Sequence, residues 1–282
     1  MSHNFVVDKY HLYRHAWIFD SSPDKETKLT EQQYSIMLAN GGFMVRNTYD
    51  FDCNVATSFW YVIKDSYSGW SEFGKSTKNC INRAKRKLCF KIVDKECILK
   101  YGYDIIEDSY KHYKIKDRSM SKSDFISWIK YCNSEDYDFW GVFNDDDNLV
   151  GLSVNRKYGM FCDFDATYIL HDYKKAEYSA FYGLFYVMID YYLQQKGFSC
   201  VSDGSRSVSE HSNIQSYLID KFKFRKAYCR LDVYYKWWFG IVVKILYPFR
   251  NVIPFVNVKA VLRLEEYNRQ QKSMFESKIG SL

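Results

Sequence analysis

The sequence predicts an α+β fold in which a mixed central sheet is flanked by helices, and three observations indicate it. The 282 residues alternate between strand-like and helix-like patterns, and this length suits one elaborate domain or two small ones. Three consecutive strand patterns in the middle of the chain are joined by short turn signals, which favours antiparallel neighbours. A long amphipathic helix, a short strand, another helix and further strands complete the order.

The first part of the chain is expected to form a strand-rich N-terminal lobe. Runs of aromatic and β-branched residues predict strands at Gly42–Tyr49 and Thr57–Ile63. A basic helix is predicted over Ser76–Leu88, with Ser76 as its cap and an apolar face every third or fourth residue. That face consists of Cys80, Ile81, Ala84 and Leu88.

The middle of the chain is predicted to supply most of the sheet. A strand at Phe90–Val93 precedes two helices, the second capped by Ser123. The polar run Asn144–Asn148 and the turn Lys157–Gly159 separate three further strands. The expected helices are Ile98–Tyr113 and Ser123–Tyr131, and the expected strands are Phe139–Phe143, Leu149–Tyr158 and Met160–Tyr168.

The remaining elements follow in the same way. Apolar residues at helical spacing predict a long helix over Ser179–Gln195, which Lys196-Gly197 ends. A strand at Phe198–Ser202, a helix at Ser212–Lys221 and a final strand pair within Phe224–Tyr235 are expected next. We therefore divide the chain into an N-terminal lobe (1–86), a central domain (87–236) and an amphipathic helical segment (237–282).

Composition restricts the classes of function. The net charge is +6, and the basic excess lies between Lys75 and Lys122, where it could attract phosphate-bearing ligands or an anionic membrane face. None of the 8 cysteines has CxxC or Cys/His spacing, which favours buried thiols in a reducing compartment and no metal site. The N-terminus lacks signal-peptide regions, and no apolar run reaches about 18 residues. A cytoplasmic protein is expected.

The order of elements resembles a known fold. From Lys87 to Tyr235 it is similar to the GNAT acyltransferase fold, in which two parallel strands splay apart and the acyl donor lies in the gap. Trp60–Asp65 and Ser76–Ala84, with Ile81–Lys85 loosely matching a basic helix opening, look like the start of FemAB-like proteins. Ser202–Ser207, with His211–Gln215 and Lys221–Tyr228, resembles GNAT-like proteins of bacterial envelope-polysaccharide gene clusters.

The resemblance implies an N-acyltransferase that moves an acyl group, acetyl by default, from a small-molecule thioester to an amine. The acceptor would be a sugar or a lipid-linked envelope precursor, and no DNA partner is expected. The loop that holds the donor's pyrophosphate in GNAT proteins matches residues 174–180, which keep a basic residue but lack both glycines of the motif. Acetyl-CoA, another acyl-CoA and aminoacyl-tRNA, which FemAB-like relatives can use, stay open as donors. The implied donor-binding residues are Lys174, Lys175, Ser179, Ala180 and Asn213.

Acyl transfer needs a base for the attacking amine and donors for the oxyanion. Asp203 is predicted at a strand end, where sheet proteins place sites, with Ser205 and Arg206 in the turn after it. His211 follows eight residues after Asp203 and could return over the strand end. We take these four as candidate catalytic residues, and a turn-capping carboxylate or a surface histidine are the plain alternatives. Tyr217 is a weaker candidate for the general acid that many GNAT enzymes place on the following helix.

Two acidic residues are candidates for binding the acceptor. Asp163 and Asp165 alternate along a predicted strand and therefore share one face, where they could bind an amine or simply face solvent.

A different class of enzyme is suggested by Gly69–Ser76, which matches the Walker A pattern GxxxxGK[ST] and precedes a helix. A P-loop hydrolase or kinase would use Lys75 and Ser76. However, the preceding strand pattern ends early, and Trp70 and Phe73 are bulky for a loop that wraps phosphate.

The C-terminal part contains the most apolar stretch, Trp237–Tyr247. As a helix with Lys236 and Lys244 beside it, this stretch could lie in the interface of an anionic membrane, or it could pack on the core. A non-catalytic scaffold on the membrane surface is therefore a third hypothesis for the whole chain.

Overall fold

The computed structural model describes residues 9–112, 120–208 and 213–279. Ten strands lie in these ranges: β1 Tyr10–Tyr13, β2 Ala16–Phe19, β3 Met44–Tyr49, β4 Phe59–Lys64, β5 Cys89–Val93, β6 Tyr137–Phe143, β7 Leu149–Tyr158, β8 Phe161–Ile169, β9 Cys200–Ser205 and β10 Arg225–Tyr235. The α-helices of these ranges are α1 Glu31–Ala39, α2 Lys75–Lys87, α3 Lys95–Lys111, α4 Lys122–Tyr131, α5 Ala180–Ile189, α6 Ile214–Phe222, α7 Trp237–Leu246 and α8 Val256–Ile279.

The chain forms two compact units. One, the terminal unit, consists of residues 1–61, 205–210 and 226–282, and the other, the central unit, of residues 62–204 and 211–225. The boundaries of these units differ from those of the three-segment division expected from the sequence. The basic helix α2 belongs to the central unit, and α7 and α8 belong to the terminal one. The three-segment division stays a prediction.

The terminal unit has strands in the order β1-β2-β3-β10-β4. β1 and β2 form an antiparallel hairpin whose turn residues, Arg14 and His15, have φ of 47° and 64°, as a tight hairpin turn requires. β2 pairs with β3 in parallel, and β3 pairs with β10 in antiparallel register. Helix α1 begins with a capping box between Thr30 and Gln33, and buries Tyr34 and Met37.

Helices α7 and α8 complete the terminal unit. Leu264 and Tyr267 of α8 pack in a core with Phe59, Leu231 and other strand residues. In α7 only Val243 is buried. Among the residues that the structure describes, no helix combines the length and the apolar character needed to cross a bilayer.

The central unit contains residues 62–64 of β4 and the strands β9-β8-β7-β6-β5, in this order. β5 to β8 form a continuous antiparallel meander, whereas β9 runs parallel to β8. α3 and α4 bury Ile98, Ile105 and Phe125 in one core with residues of β6 and β7. α5 follows β8 and returns the chain to β9, and its end, Asp190–Gln195, is a π-helical segment that buries Tyr192.

The structure confirms the predicted order of elements in the central unit and corrects several details. The last strand pair is a single strand, β10, that continues for 11 residues without a turn. Helix α2 begins after Gly74, and Ser76 is not its cap. Helix α4 is capped by Ser121, whose side chain accepts a hydrogen bond from the Asp124 N–H, rather than by Ser123. The sequence patterns do not predict β1, β2 or α1.

Candidate functional site

The candidate site begins where two parallel strands of the central unit separate. β8 and β9 pair at three positions, from Phe161 opposite Cys200 to Asp163 opposite Ser202. Beyond Asp163, β8 continues beside β7 up to Ile169, and the register of its pairing with β9 ends. The ladder between the two strands therefore ends at Asp163, and we call this place, where the sequence resemblance predicts the donor gap, the fork.

A β-bulge lies in β8 directly beside the fork. Asp163 is opposite Arg156, and Ala166 is opposite Val154, so two residues of β8 face the single Asn155 of β7. A bulge of this kind bends the strand and interrupts its ladder, and bulges are over-represented next to active sites. It redirects β8 at the point where the gap begins.

Asp163 has the electrostatic properties of a general base. Burial first, and then the charge of Asp165, raise its pKa to about 7. Hydrogen bonds from Ser202 and the Gly204 N–H, together with the charge of Arg156, act in the opposite direction. Its Oδ1 atom is inaccessible to solvent and has no hydrogen-bond partner in the described structure. A carboxyl that titrates near neutral pH is suited to accept a proton from an amine.

Asp203 occupies the other arm of the fork, and it lies within β9, which continues to Ser205, so the prediction of a strand end at Asp203 and a turn at Ser205 is wrong. Burial raises its pKa well above the ordinary range, and the charge of Asp163 adds to this effect. Gln215 of α6 donates from Nε2 to the Asp203 carbonyl oxygen at 3.3 Å. Gly204 follows with φ of 75°, a conformation that glycine adopts without strain. The two carboxyls, Asp163 and Asp203, therefore both favour the protonated form more than an exposed aspartate does.

Tyr217 on α6 is buried against the start of α5. Its ring and the ring of Tyr182 lie edge to face with centroids 5.2 Å apart. Burial raises the pKa of the Tyr217 phenol, and the neighbouring Tyr182 contributes in the same direction. A phenol in this state is protonated at neutral pH but is a weaker acid than an exposed tyrosine, and the general-acid role of Tyr217 stays a prediction.

The loop before α5 is the predicted donor-phosphate loop. Lys174 is half-buried, its Nζ lies 3.3 Å from Ser109 Oγ, and burial lowers its pKa. Lys175 pairs with Asp172 on the surface. Ser179 adopts the left-handed conformation, with φ of 54°, and its Oγ donates to the Ala176 carbonyl. Ala180 then begins α5, and its side chain is buried.

Helix α2 adds basic groups that sequence reasoning did not assign to this loop. Arg83 donates to the Ala176 carbonyl oxygen at 2.6 Å, and Lys87 pairs with Glu177 at 3.0 Å. Glu177 lies in the predicted phosphate loop, where its negative charge would repel a phosphate. Its pairing with Lys87 offsets that charge. The only sequence signal for these partners is the basic composition of α2, because nothing in a linear pattern reveals which loop the helix packs against.

The structure does not gather all of the predicted catalytic residues into the fork. Ser205 and Arg206 belong to the terminal unit, where Ser205 Oγ accepts from Arg46 at 3.4 Å. The Arg206 guanidinium is sandwiched between the rings of Trp60 and Tyr267, with its carbon 4.0 and 3.6 Å from the centroids. It also donates to the Ser58 carbonyl oxygen at 2.5 Å. These contacts fix Arg206 within the terminal unit.

The remaining predicted residues lie in the central unit or outside the described part. His211 lies outside the described residues. Asn213 precedes α6 and accepts the Tyr217 N–H through its carbonyl. Asp165 is exposed on β8 and raises the pKa of Asp163. The roles assigned to these residues from the sequence stay predictions.

The segment with the Walker A spelling does not form a P-loop. Gly69–Glu72 is a 3-10 helix, and four residues separate it from the end of β4. Trp70 packs edge to face on Tyr186, 5.3 Å between centroids, and Glu72 pairs with the buried Lys64 at 2.7 Å. A phosphate cradle needs open backbone N–H groups directly after a strand, whereas rings and a carboxylate fill this segment.

Comparisons of structure and sequence agree with this geometry at the level of the fold. No protein-family model matches the sequence, and no curated protein matches it. L-PGS from Bacillus licheniformis superposes with a TM-score of 0.50 at 13% identity, over 84% of this chain and 83% of that one. FemX superposes with a TM-score of 0.50 at 10% identity, over 72% and 68% of the two chains.

A third similar structure is the C-terminal domain of a putative lysylphosphatidylglycerol synthetase from Agrobacterium fabrum. Its TM-score is 0.44 at 12% identity, and the match covers 69% of this chain. This chain spans 66% of that domain, slightly less than two thirds of its length. Identities this low show a shared fold and nothing further. The chain has the α+β fold of L-PGS and FemX, and the β8–β9 strand pair lies in its central unit.

Proposed function

We propose that this protein is an N-acyltransferase that uses the fork between β8 and β9 to hold an activated acyl donor. The observation that carries the proposal is the position of Asp163, a carboxyl with a pKa of about 7, at the last paired position before the strands separate. The fold shared with L-PGS and FemX supports the same reading. The donor's carbonyl would lie in the gap, where irregular backbone at the bulge offers hydrogen bonds to an oxyanion.

The proposed reaction assigns one step to each side chain. The neutral acceptor amine attacks the donor's carbonyl carbon, and Asp163 accepts the one proton that the nitrogen loses. This proton later passes through solvent to the Tyr217 phenolate, which restores both groups. The tetrahedral intermediate collapses with cleavage of the bond to the leaving sulfur or oxygen, which takes a proton from Tyr217. Asp203, protonated and beside Gln215, orients the acceptor or the intermediate. An amide and the free thiol or hydroxyl are the products.

Both open donor classes carry phosphate, which suits the basic groups at the loop before α5. Acetyl-CoA presents a pyrophosphate and aminoacyl-tRNA a phosphodiester backbone, and Lys174, Arg83 and Lys87 provide cations for either. The acceptor is proposed to be an amine on a sugar or on a lipid-linked envelope precursor, as the sequence resemblance implies.

A transfer assay tests the proposal. The protein is incubated with amino-sugar and lipid-linked amine acceptors and with either labelled acetyl-CoA or labelled aminoacyl-tRNA, and amide products are identified by mass spectrometry. Asp163→Asn should lower turnover by about 10² or more, because the base is removed while the shape is kept. Asp147→Asn is the matched control, since Asp147 is exposed and has φ of 57°, which asparagine accepts readily.

Tyr217→Phe separates the acid step from packing. The variant keeps the buried ring and should lower turnover by about 10-fold or more with little change in stability. Tyr182→Phe, in the neighbouring ring, is its control. Absence of transfer from both donors, or full activity of Asp163→Asn, would contradict the proposed function.

A further inference from the structure

The C-terminal helices of the terminal unit expose a large apolar surface. On α7, Trp237, Ile241 and Ile245 recur every four residues and are all exposed, Trp237 to 79%. Trp238 and Val242 extend this face, and the connection to α8 continues it with Phe249, Val252 and Phe255, of which Val252 is 77% exposed. We call these eight residues the apolar C-terminal surface. Monomeric proteins rarely expose so many large apolar side chains together unless a partner or a membrane covers them.

The exposure of α7 distinguishes the two interpretations of this stretch, a helix packed on the core and a helix in a membrane interface. A helix packed on the core would bury its tryptophans, whereas in α7 only Val243 is buried, and Phe239 lies half-buried against Phe43. Trp237, Ile241 and Ile245 therefore point away from their own unit, whereas the half-exposed Trp238 also contacts the Phe43 ring, with centroids 5.2 Å apart.

The chain segment that carries this surface has charges of one sign. Between Lys236 and Arg263 the chain has five basic residues and no acidic one. The five are Lys236, Lys244, Arg250, Lys259 and Arg263. An apolar face bordered by cations is complementary to the interfacial region of a bilayer that contains anionic lipids.

A cavity beside the apolar C-terminal surface gathers three of these cations. Arg250, Lys259 and Arg263 line an open space of about 270 Å³ together with Asn251 and Glu266. Arg250 is oriented by Glu266, 3.1 Å from its Nε, and by stacking on the Tyr247 ring at 4.4 Å. Arg263 is oriented by the Val208 carbonyl at 2.9 Å. Preorganised guanidinium groups beside a lysine are suited to a phosphodiester.

We propose that α7, the connection after it and the first turns of α8 form a binding surface for an anionic phospholipid bilayer. The apolar C-terminal surface inserts among the acyl chains, and the cavity of Arg250, Lys259 and Arg263 takes a lipid phosphate. Proximity to a bilayer would favour a lipid-borne acceptor, but the surface itself does not depend on the proposed acyl transfer.

Sedimentation with vesicles tests this surface. The wild-type protein should pellet with vesicles of equal parts phosphatidylcholine and phosphatidylglycerol, and less with phosphatidylcholine alone. Lys259→Ala should weaken binding to the anionic vesicles about fivefold, and added salt should weaken it as well. Trp237→Ser combined with Ile245→Ser should weaken it by about tenfold or more, because both side chains are exposed and leave the fold intact.

The controls distinguish a lipid from other occupants. Tyr131→Ser and Lys130→Glu remove an exposed ring and an exposed cation from α4 in the other unit, and should leave vesicle binding unchanged. A wild-type protein that stays in the supernatant with anionic vesicles overturns the proposal. A second contrary outcome is dimerisation without vesicle binding. In that case the wild type would dimerise with concentration in analytical ultracentrifugation, and the substitutions at Trp237 and Ile245 would abolish the dimer. Equal binding of Lys259→Ala and wild type to anionic vesicles would overturn the assignment of the cavity as a site for lipid phosphate.

Discussion

Asp163 of β8 lies opposite Ser202 of β9 at the last paired position of the two parallel strands. The Ser202 side chain forms a hydrogen bond with the Asp163 carboxylate, and its Oγ also accepts the Gly204 N–H at 2.8 Å. Ser202 thus links the carboxyl to Gly204 in the part of β9 that no longer pairs with β8. The proposed base therefore lies where the pairing of β8 and β9 ends.

The pKa of Asp163 gives a prediction for activity against pH. Only the carboxylate can act as base, so kcat/KM should rise with pH and level off above about pH 7, where burial and Asp165 place this pKa. Asp165→Asn should move the midpoint to lower pH, because it removes the negative charge that raises the pKa. A midpoint unchanged by Asp165→Asn, measured on the purified enzyme, would contradict this electrostatic coupling.

The same pKa gives a prediction for stability. Between pH 3.8, the ordinary value, and about 7, the folded protein holds a proton that the unfolded chain has lost. The contribution of Asp163 to stability is therefore full at low pH and declines as the pH rises through this window. Asp163→Asn, which cannot ionise, should be more stable than wild type at pH 8, by about 1–4 kcal/mol. Urea denaturation at pH 5 and pH 8 measures the difference, which should be smaller at pH 5.

Substitutions at Lys174 and Lys75 distinguish the acyltransferase hypothesis from the P-loop hypothesis. Lys174→Ala should raise the KM for the donor by about 10-fold with a smaller effect on kcat, because one charge-assisted contact to phosphate is lost. Lys75→Ala should leave donor affinity unchanged, since Lys75 is an exposed residue at the start of α2.

Steady-state transfer kinetics measure the KM and kcat of Lys174→Ala, and isothermal titration with the donor and with ATP measures the affinities of Lys75→Ala. ATP binding that disappears in Lys75→Ala would restore the P-loop hypothesis and contradict the acyltransferase one.

Gly183 gives a prediction for packing in the central unit. It lies within α5, and a Cβ there would stand 2.8 Å from the Ala84 Cβ of α2 and still closer to the Phe90 ring. Gly183→Ala should therefore destabilise the protein by about 1–3 kcal/mol despite the better helix propensity of alanine. Gly240→Ala in α7 is the control, because its Cβ would meet only Tyr235 at 3.4 Å. That change should be neutral or stabilising by up to about 1 kcal/mol in thermal unfolding.

The sequence predicted the central unit better than the terminal one, for a physical reason. α3, α4 and the meander from β6 to β8 carry long periodic patterns and clear turn residues, so local preference and burial agree. β1 and β2 have four residues each, and α1 lacks a strong apolar stripe. These elements are fixed by contacts distant in sequence, such as the hydrogen bond from the Tyr34 hydroxyl to Asn47 Oδ1 at 2.9 Å, which no local pattern reveals.

For the candidate site, the sequence by itself determined the order of elements. It predicted that a helix connects β8 to β9. It also placed Asp163 and Asp203 on or directly after these two strands, and Tyr217 on the helix after β9. Tertiary structure decided which of these side chains titrate near neutral pH, because desolvation and neighbouring charge depend on packing. It also decided that Arg83 and Lys87 join the loop before α5, and that Arg206 is held between Trp60 and Tyr267. Hydrophobic periodicity is a property of neighbouring residues, whereas burial, pairing and charge at a site depend on residues far apart in the chain.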